Sequence, residues 1–420
     1  MKYSPLDLGR WIVWGVTALL MIVLPLIFTE GFALTILSQI GVGIIFALSY
    51  NMLLGQGGML SFGHAVYSGL GAYFAIHALN LIGKGQFWFP VTLLPLVGGV
   101  AGLVFGILFG YVTTKKSGTT FAMISLGIGE MVFACSLMFP GFFGGEGGIT
   151  TNRVVGKAFL GVTYGSALEV YYLIVAWAFA CMVAMFAWTQ TPLGRMANAV
   201  RDNPERAEFV GYDTQMVRYL TLVLSSFFAG IAGGLSCINY EIVSAENVGA
   251  VRSGGVLLAT FIGGAGFFFG PILGTVIFFI MVIAVGALTK AWLFYLGLLF
   301  LVMVLYAPGG IASLVFMHLP VLKARLMGRL WRPYAAALAT GLALLAGLVS
   351  VVEITYHYSL EAKTAPDMAL FGFAFNVTDG MPWVISIGLL VAGFIASRIS
   401  WKLVGRAWAD ITHALQGGTS

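Results

Sequence analysis

An all-α polytopic integral membrane protein is the fold class predicted for this chain, and three observations predict it. Of 420 residues, 60% are hydrophobic and only 9% charged, with a mean hydropathy of +0.97, whereas soluble domains run at about 45–50% apolar and about 25% charged. Apolar runs of about 20 residues, the length that crosses a hydrocarbon core of ~30 Å, recur along the whole sequence. The basic residues gather in a few of the intervening loops, as they do on the cytoplasmic side of membrane proteins. Glycine is abundant, with 56 residues, which suits a bundle whose helices approach closely and break in places. The net charge of +5 carries no basic tract of five or more residues. The lipid bilayer, not a nucleic acid, is therefore the expected partner.

Lys2 and Arg10 precede an apolar run from Trp11 to Phe28. It is long enough to span and is followed by no small-x-small cleavage site, so it reads as a retained first helix. Further spans are expected near residues 31–53, 60–82, 90–113, 118–139, 168–190, 217–238, 251–265, 270–288, 291–307, 333–352 and 382–398, twelve crossings in all. Alternation from a cytoplasmic N-terminus puts Lys115, Lys116, the basic residues from Arg195 to Arg218, the Lys323–Arg332 cluster and the tail with Arg398, Lys402 and Arg406 on one side. Both termini then face the cytoplasm. The other side receives Glu30, Glu146, Glu241, Glu246, Glu353, Glu361, Asp367 and Asp379, with a minority of basic residues.

Two glycine-rich breaks interrupt the pattern. Between the second and third spans lies Asn51-Met-Leu-Leu-Gly-Gln-Gly-Gly-Met-Leu-Ser-Phe-Gly-His64, and between the eighth and ninth lies Gly263-Gly-Ala-Gly-Phe-Phe-Phe-Gly-Pro271. Unwound backbone is tolerated at membrane depth only where protein or a water-lined cavity satisfies it. The first break is thus either a pathway lining or a tight cytoplasmic hairpin, and Asn51, Gln56, Ser61 and His64 are either solute contacts or structural hydrogen-bonding groups. Glu130 is the one acid well inside an expected span. It is either a functional group facing the interior or a packing acid held by hydrogen bonds. The glycine-rich loop from Gly141 to Gly148 and the segment to about Gly165 lie on the outer side, as a surface that meets something outside or as an ordinary mobile loop.

The stretch from Thr191 to Leu220 differs from everything around it. Between Thr191 and Arg218, Arg195, Arg201, Asp202, Glu205, Arg206, Glu208, Asp213 and Arg218 are charged, a polar island in an oily chain. Thr191-Pro192 is a helix start, with Leu193, Met196, Ala197 and Val200 at i, i+3, i+4 and i+7. Asn203-Pro204 repeats the start, and Gly211 can end the second, two-turn helix in the left-handed conformation.

Some chemistries are not encoded. There is no phosphate loop of the Gly-x-x-x-x-Gly-Lys-Ser/Thr type, so any ATP is used by a partner. The five histidines form no His-Glu-x-x-His or Cys/His cluster, and Cys135, Cys181 and Cys237 lie in apolar runs, so neither a metal site nor a disulfide framework is indicated. Ser61 and His64 lack an acidic orienter, which argues against a serine hydrolase. No catalytic residue, metal ligand or cofactor is expected, and the chain does not read as an enzyme.

Ordered motifs from about residue 31 to 312 resemble the membrane permease subunits of branched-chain amino acid ABC importers, the high-affinity hydrophobic amino acid transport type. They are Asn51-x-x-x-Gly-Gln-Gly-Gly-x-Leu-Ser-x-Gly-His64 with Gly69-x-Gly-Ala-Tyr73; Phe121-Ala-Met with Gly129-Glu130 and Gly144-Gly-Glu-Gly147; Thr191-Pro-Leu-Gly-Arg195 through Arg201-Asp-Asn-Pro-Glu-Arg-Ala-Glu to Gly211; Gly263-Gly-x-Gly with Gly270-Pro271; and Ala307-Pro-Gly-Gly310. The resemblance implies a ten-helix permease core of the vitamin B12 importer type, with coupling helices at 191–214 after the sixth span. Leu193, Gly194, Arg195, Arg201, Asn203, Glu205, Arg206 and Gly211 would couple to the ATPase. It also implies two ABC ATPase subunits, a second homologous permease subunit in a heterodimer or homodimer, a periplasmic solute-binding protein, and a bacterial inner-membrane location. The solute would be a branched-chain or hydrophobic amino acid or a related small organic solute. An ion-gradient-driven secondary transporter titrating Glu130 is the alternative.

The core is expected to occupy residues 1–320. Residues 321–420 depart from the pattern as an extension of about two transmembrane helices and an interfacial tail, with Trp401, Val404, Trp408, Ile411 and Leu415 on one face.

Overall fold

A computed structural model of the chain describes residues 8–155, 162–360 and 366–417; Lys2 and Glu361 lie outside them. The helices are α1 Leu8–Ile27, α2 Gly31–Asn51, α3 Ala65–Gly83, α4 Leu94–Thr113, α5 Gly118–Met138, α6 Ala167–Gln190, α7 Pro192–Asp202, α8 Pro204–Phe209, α9 Thr214–Tyr240, α10 Ala250–Gly263, α11 Gly270–Ile280, α12 Trp292–Tyr306, α13 Gly310–Lys323, α14 Trp331–Leu360 and α15 Gly380–Gly417. Among the described residues nine helices are long and apolar enough to cross a membrane, and the bent pair α12–α13 makes a tenth.

Every one of the twelve expected spans has a helix, but among the described residues two of them are shorter apolar helices, Ile12–Ile27 within α1 and Ala250–Gly263. At 14 residues, α10 is only ~21 Å long, short of a ~30 Å hydrocarbon core. The turn Ala245–Val248 precedes it and is folded inward against α3, where a Cβ on Gly69 would stand 2.9 Å from the Asn247 carbonyl carbon. The sequence 241–249 looks like an outer loop because it is polar, but Glu241 accepts from the Arg153 amide and Asn247 from Arg252.

The chain divides into two compact units, Met1–Phe279 with Phe300–Ala312, and Ile280–Leu299 with Ser313–Ser420. In the first, α4 and α9 meet along a seam of small residues. Gly98, Gly102 and Gly106 recur every four residues on α4, and Ser226, Gly230 and Gly234 do so on α9. A Cβ at Gly102 would lie 3.0 Å from the Gly230 Cα, and one at Gly106 would lie 2.7 Å from the Ser226 Cβ. Between membrane helices the attraction is contact packing rather than the hydrophobic effect, so backbones that touch gain most. On one end of this unit a two-stranded antiparallel pair, β1 Ile149–Thr150 with β2 Ile242–Val243, joins the α5–α6 segment to the end of α9. Beside it the Arg153 amide donates to Glu241 Oε1 at 2.8 Å, and Arg153 Nε donates to the Tyr164 carbonyl at 2.8 Å.

In the second unit α14 and α15 pack closely where Gly347 and Gly393 face the backbone of Leu390 and Leu344, and Thr340 Oγ1 meets Ser400 Oγ at 2.7 Å. The tail is not a separate element. It continues α15 without a break to Gly417, and Val404 and Ile411 are buried, Ile411 together with Val321 and Leu330 and with Trp408 and Leu415 packed alongside. Trp401 of the same face is exposed. The strands β3 Asp367–Leu370 and β4 Phe373–Asn376 form a hairpin before α15.

Candidate coupling and translocation site

The polar island folds as its caps dictate. Thr191 Oγ1 accepts from the Gly194 amide at 3.3 Å, Asn203 Oδ1 from the Arg206 amide at 2.9 Å, and Asp213 Oδ1 from the Met216 amide at 3.0 Å. Three side-chain caps thus start α7, α8 and α9 in succession, each satisfying an amide with no intrahelical partner. Gly211 has φ +94° and its amide bonds the Glu208 carbonyl at 2.8 Å, so it ends α8 from the left-handed half of backbone space, which disfavours residues with a Cβ. Gly194 sits where α6 turns into α7; a Cβ there would stand 2.9 Å from the Thr189 Cα.

The apolar face of α7 points into the permease. Ala197 and Val200 are buried, and Leu193 and Met196 pack on the core. Arg195, Glu205 and Arg206 are exposed, as is Asn203, and among the described residues Arg195, Glu205 and Arg206 form no ion pair. At the end of α8, Phe209 is 91% exposed and Val210, just beyond it, 71%.

The inner face of α7 is wired to the first glycine break. The break opens as a π-helical turn over Met52–Gln56 that follows directly on α2, then runs irregularly to His64. Asn198 Nδ2 donates to Gln56 Oε1 at 2.9 Å, and an Arg201 guanidinium N–H donates to the Gly55 carbonyl. The stem of Arg201 lies over Gly58, whose φ is +65° and where a Cβ would stand 2.7 Å from the Arg201 Cγ. Asn51 Nδ2 in turn donates to the Ala265 carbonyl at 2.7 Å, joining the first break to the second. Gly264 packs on the backbone of Gly309 and Gly310. The three glycine motifs are therefore joined in series: α7 contacts the first break, the first contacts the second, and the second packs on Gly309 and Gly310.

Ser61 and His64 belong to the interior. Tyr50 donates its hydroxyl to the Ser61 carbonyl at 3.0 Å. His64 is fully buried, stacked on Phe46 at 5.4 Å and edge-on to Tyr50 and Tyr67. Ser49 spends its only proton on the Phe46 carbonyl at 2.7 Å, so at 2.9 Å it accepts from His64 Nε2. That places the His64 proton on Nε2 and leaves Nδ1 without a partner. The side chains of Asn51 and Gln56, His64 Nε2 and the Ser61 carbonyl are thus occupied by protein groups, while Glu130 is exposed.

Glu130 lines a cavity of about 580 Å³ with Phe133, Glu246, Asn247, Val251 and Arg252. A second, mainly apolar cavity of about 280 Å³ lies between α2, α10 and α11, with Val42, Phe46, Phe278 and Phe279 among its walls, and Arg252 and Val251 border both. Sequence reasoning missed Asn198 and Arg252. Asn198 follows Gly194 by one helical turn on the inward face, and Arg252 stands at the start of the run 251–265, where a cation passes for an ordinary end of a span.

A helical membrane protein without a phosphate loop, with open cavities among its spans and a capped helix pair at one end, has the construction of a transport subunit. Comparison with known proteins gives the family: the chain belongs to the branched-chain amino acid transport system permease components, whose model matches residues 32–308. It is similar to the high-affinity branched-chain amino acid transport system permease protein LivM of Salmonella typhimurium, 27% identical over 64% of this chain and 67% of that one. It also resembles a probable branched-chain amino acid transport permease protein LivM of Methanocaldococcus jannaschii, 25% identical over 70% and 96%. The galactose/methyl galactoside import permease protein MglC of Salmonella typhimurium is 27% identical over 58% and 75%. No solved structure matches.

Proposed function

We propose that the chain is one permease subunit of an ATP-binding-cassette importer in a bacterial inner membrane, with both termini cytoplasmic. It pairs with a second, homologous permease subunit, receives solute from a periplasmic binding protein, and leaves ATP hydrolysis to two ATPase subunits, performing no chemistry itself. The solute is a branched-chain or other hydrophobic amino acid, or a related small organic solute. The observation that carries the coupling is the linkage from α7 to both glycine breaks through Asn198–Gln56, Arg201–Gly55 and Asn51–Ala265.

In this reading the outer face of the island meets the ATPase. Arg195, Glu205 and Arg206 make its polar contacts, and Phe209 and Val210 fill an apolar recess. Leu193, Gly194, Ala197 and Val200 fasten α7 to the permease, so that α7 and α8 move with the bundle; Asn203 and Gly211 set the ends of α8. Motion of the ATPases reaches the breaks, where unwound backbone changes conformation at less cost than a regular helix. Coupling of this kind requires contacts that differ between the two states.

The test is uptake and binding-protein-stimulated ATP hydrolysis in the reconstituted complex. Arg195→Glu and Glu205→Lys are expected to abolish most of both while the complex still assembles; unchanged uptake and hydrolysis in both variants would sink the coupling assignment. Uptake by this chain alone under a proton or sodium gradient would instead favour a secondary transporter using Glu130.

A further inference from the structure

Arg252 is a cation inside the span region with no anion of its own. Its guanidinium carbon lies 5.8 Å from the Phe46 ring centroid, and Phe46 is fifteen residues, ~22 Å, along α2 from Gly31. The acceptors it uses are neutral: Asn247 Oδ1 at 2.6 Å and Ser236 Oγ at 3.4 Å. Among the described residues it forms no ion pair, although a guanidinium carries five donors and an intramembrane charge ordinarily finds a partner or marks a solute path. Two acids, Glu130 and Glu246, line the larger of its two cavities without forming an ion pair with it. Opposite charges thus share one cavity across a gap. On the other side of Arg252 the smaller cavity offers an apolar wall of Val42, Phe46, Phe278 and Phe279.

We infer that Arg252 is a carboxylate-binding station on the translocation path, which holds the amino-acid solute by its carboxylate while the solute's side chain lies on this wall. The carboxylate sits on the free donors of Arg252 in a charge-assisted, two-pronged contact. The ammonium faces Glu130 and Glu246, and the side chain lies on the aromatic wall. This inference rests on the permease reading above and names the residue that holds its solute; a sugar supplies neither charge.

The experiment uses the complete complex in liposomes, with radiolabelled leucine as probe and galactose as comparison. Arg252→Gln is expected to cut leucine uptake by at least about tenfold while binding-protein-stimulated ATP hydrolysis persists, and Arg252→Lys to restore part of the uptake. Undiminished leucine uptake in Arg252→Gln overturns the inference. Wild-type uptake of galactose but not leucine overturns the amino-acid solute class of the permease reading instead. Should Arg252→Gln fail to assemble, Val251→Cys in a Cys135→Ser background decides: Val251 is 91% exposed and borders both cavities. Leucine is expected to slow modification of that cysteine by a thiol reagent, and leucinamide, which lacks the carboxylate, is not. Equal protection by the two, or none by leucine, refutes the carboxylate station.

Discussion

Gln56 and Asn198 make a side-chain pair whose members come from opposite sides of the same joint. Replacing Gln56 by Leu keeps the volume but removes one of the two acceptors of the Asn198 amide, leaving the Gly194 carbonyl at 3.2 Å, a cost of about 0.5–1.5 kcal/mol. The expected result is uncoupling: stimulated ATP hydrolysis stays near the wild-type rate while solute moved per ATP falls severalfold, measured by parallel uptake and phosphate release. Equal ratios in wild type and variant would mean the pair transmits nothing. Ordinary residue-level reading singles out Gln56 by its polarity in an apolar stretch. Its partner Asn198 is inconspicuous, because Asn is common in polar helices and only the approach of α7 gives it a role. His64 shows the reverse: prominent in the sequence, it is enclosed by Phe46, Tyr50 and Tyr67 and bears on packing.

Elements in this protein are defined by glycine as much as by apolar length. The α4–α9 seam depends on backbone contact at Gly102 and Gly230, so a large side chain there must push two helices apart. Gly230→Leu is expected to lower stability by about 1–3 kcal/mol or more, seen as earlier thermal unfolding of the purified protein. Gly127→Ala, with nothing within 4 Å of the added Cβ, is expected to be near neutral. Similar melting of the two variants would mean the seam does not hold α4 to α9. The helices α7 and α8 are legible from Thr191-Pro192 and Asn203-Pro204 because caps and proline act locally. The length of α10 is not, since its start is set by the fit of the Ala245–Val248 turn against α3.

At the scale of the molecule, charge places the loops. The pairing of Ile149–Thr150 with Ile242–Val243 puts the segments before α6 and after α9 on one side, as alternation of the spans requires. Lys116→Cys is accordingly expected to react with an impermeant thiol reagent from the cytoplasmic side, and Asp367→Cys from the outer side, in a Cys135→Ser background; labelling of both from the same side would overturn the orientation. The C-terminal unit has its own internal bonds. His318 and Trp408 both reach the Tyr334 hydroxyl, at 2.6 and 2.9 Å, and Thr289 and Tyr295 both donate to Glu353, at 2.7 and 2.8 Å.

Composition, apolar run length and the cap signals were enough by themselves to establish a polytopic helical membrane protein, most of its span positions and the helix starts of the polar island, because each depends on hydropathy or on backbone groups a few residues apart. Motif order was enough to reach the family. Tertiary structure alone decided that the first glycine break meets both α7 and the second break, that α15 runs unbroken through the tail, and that Arg252 borders two cavities with no ion pair among the described residues. Those facts depend on contacts between residues up to 214 apart, such as Asn51 and Ala265, and glycine and asparagine carry no local signature of the partner they will meet.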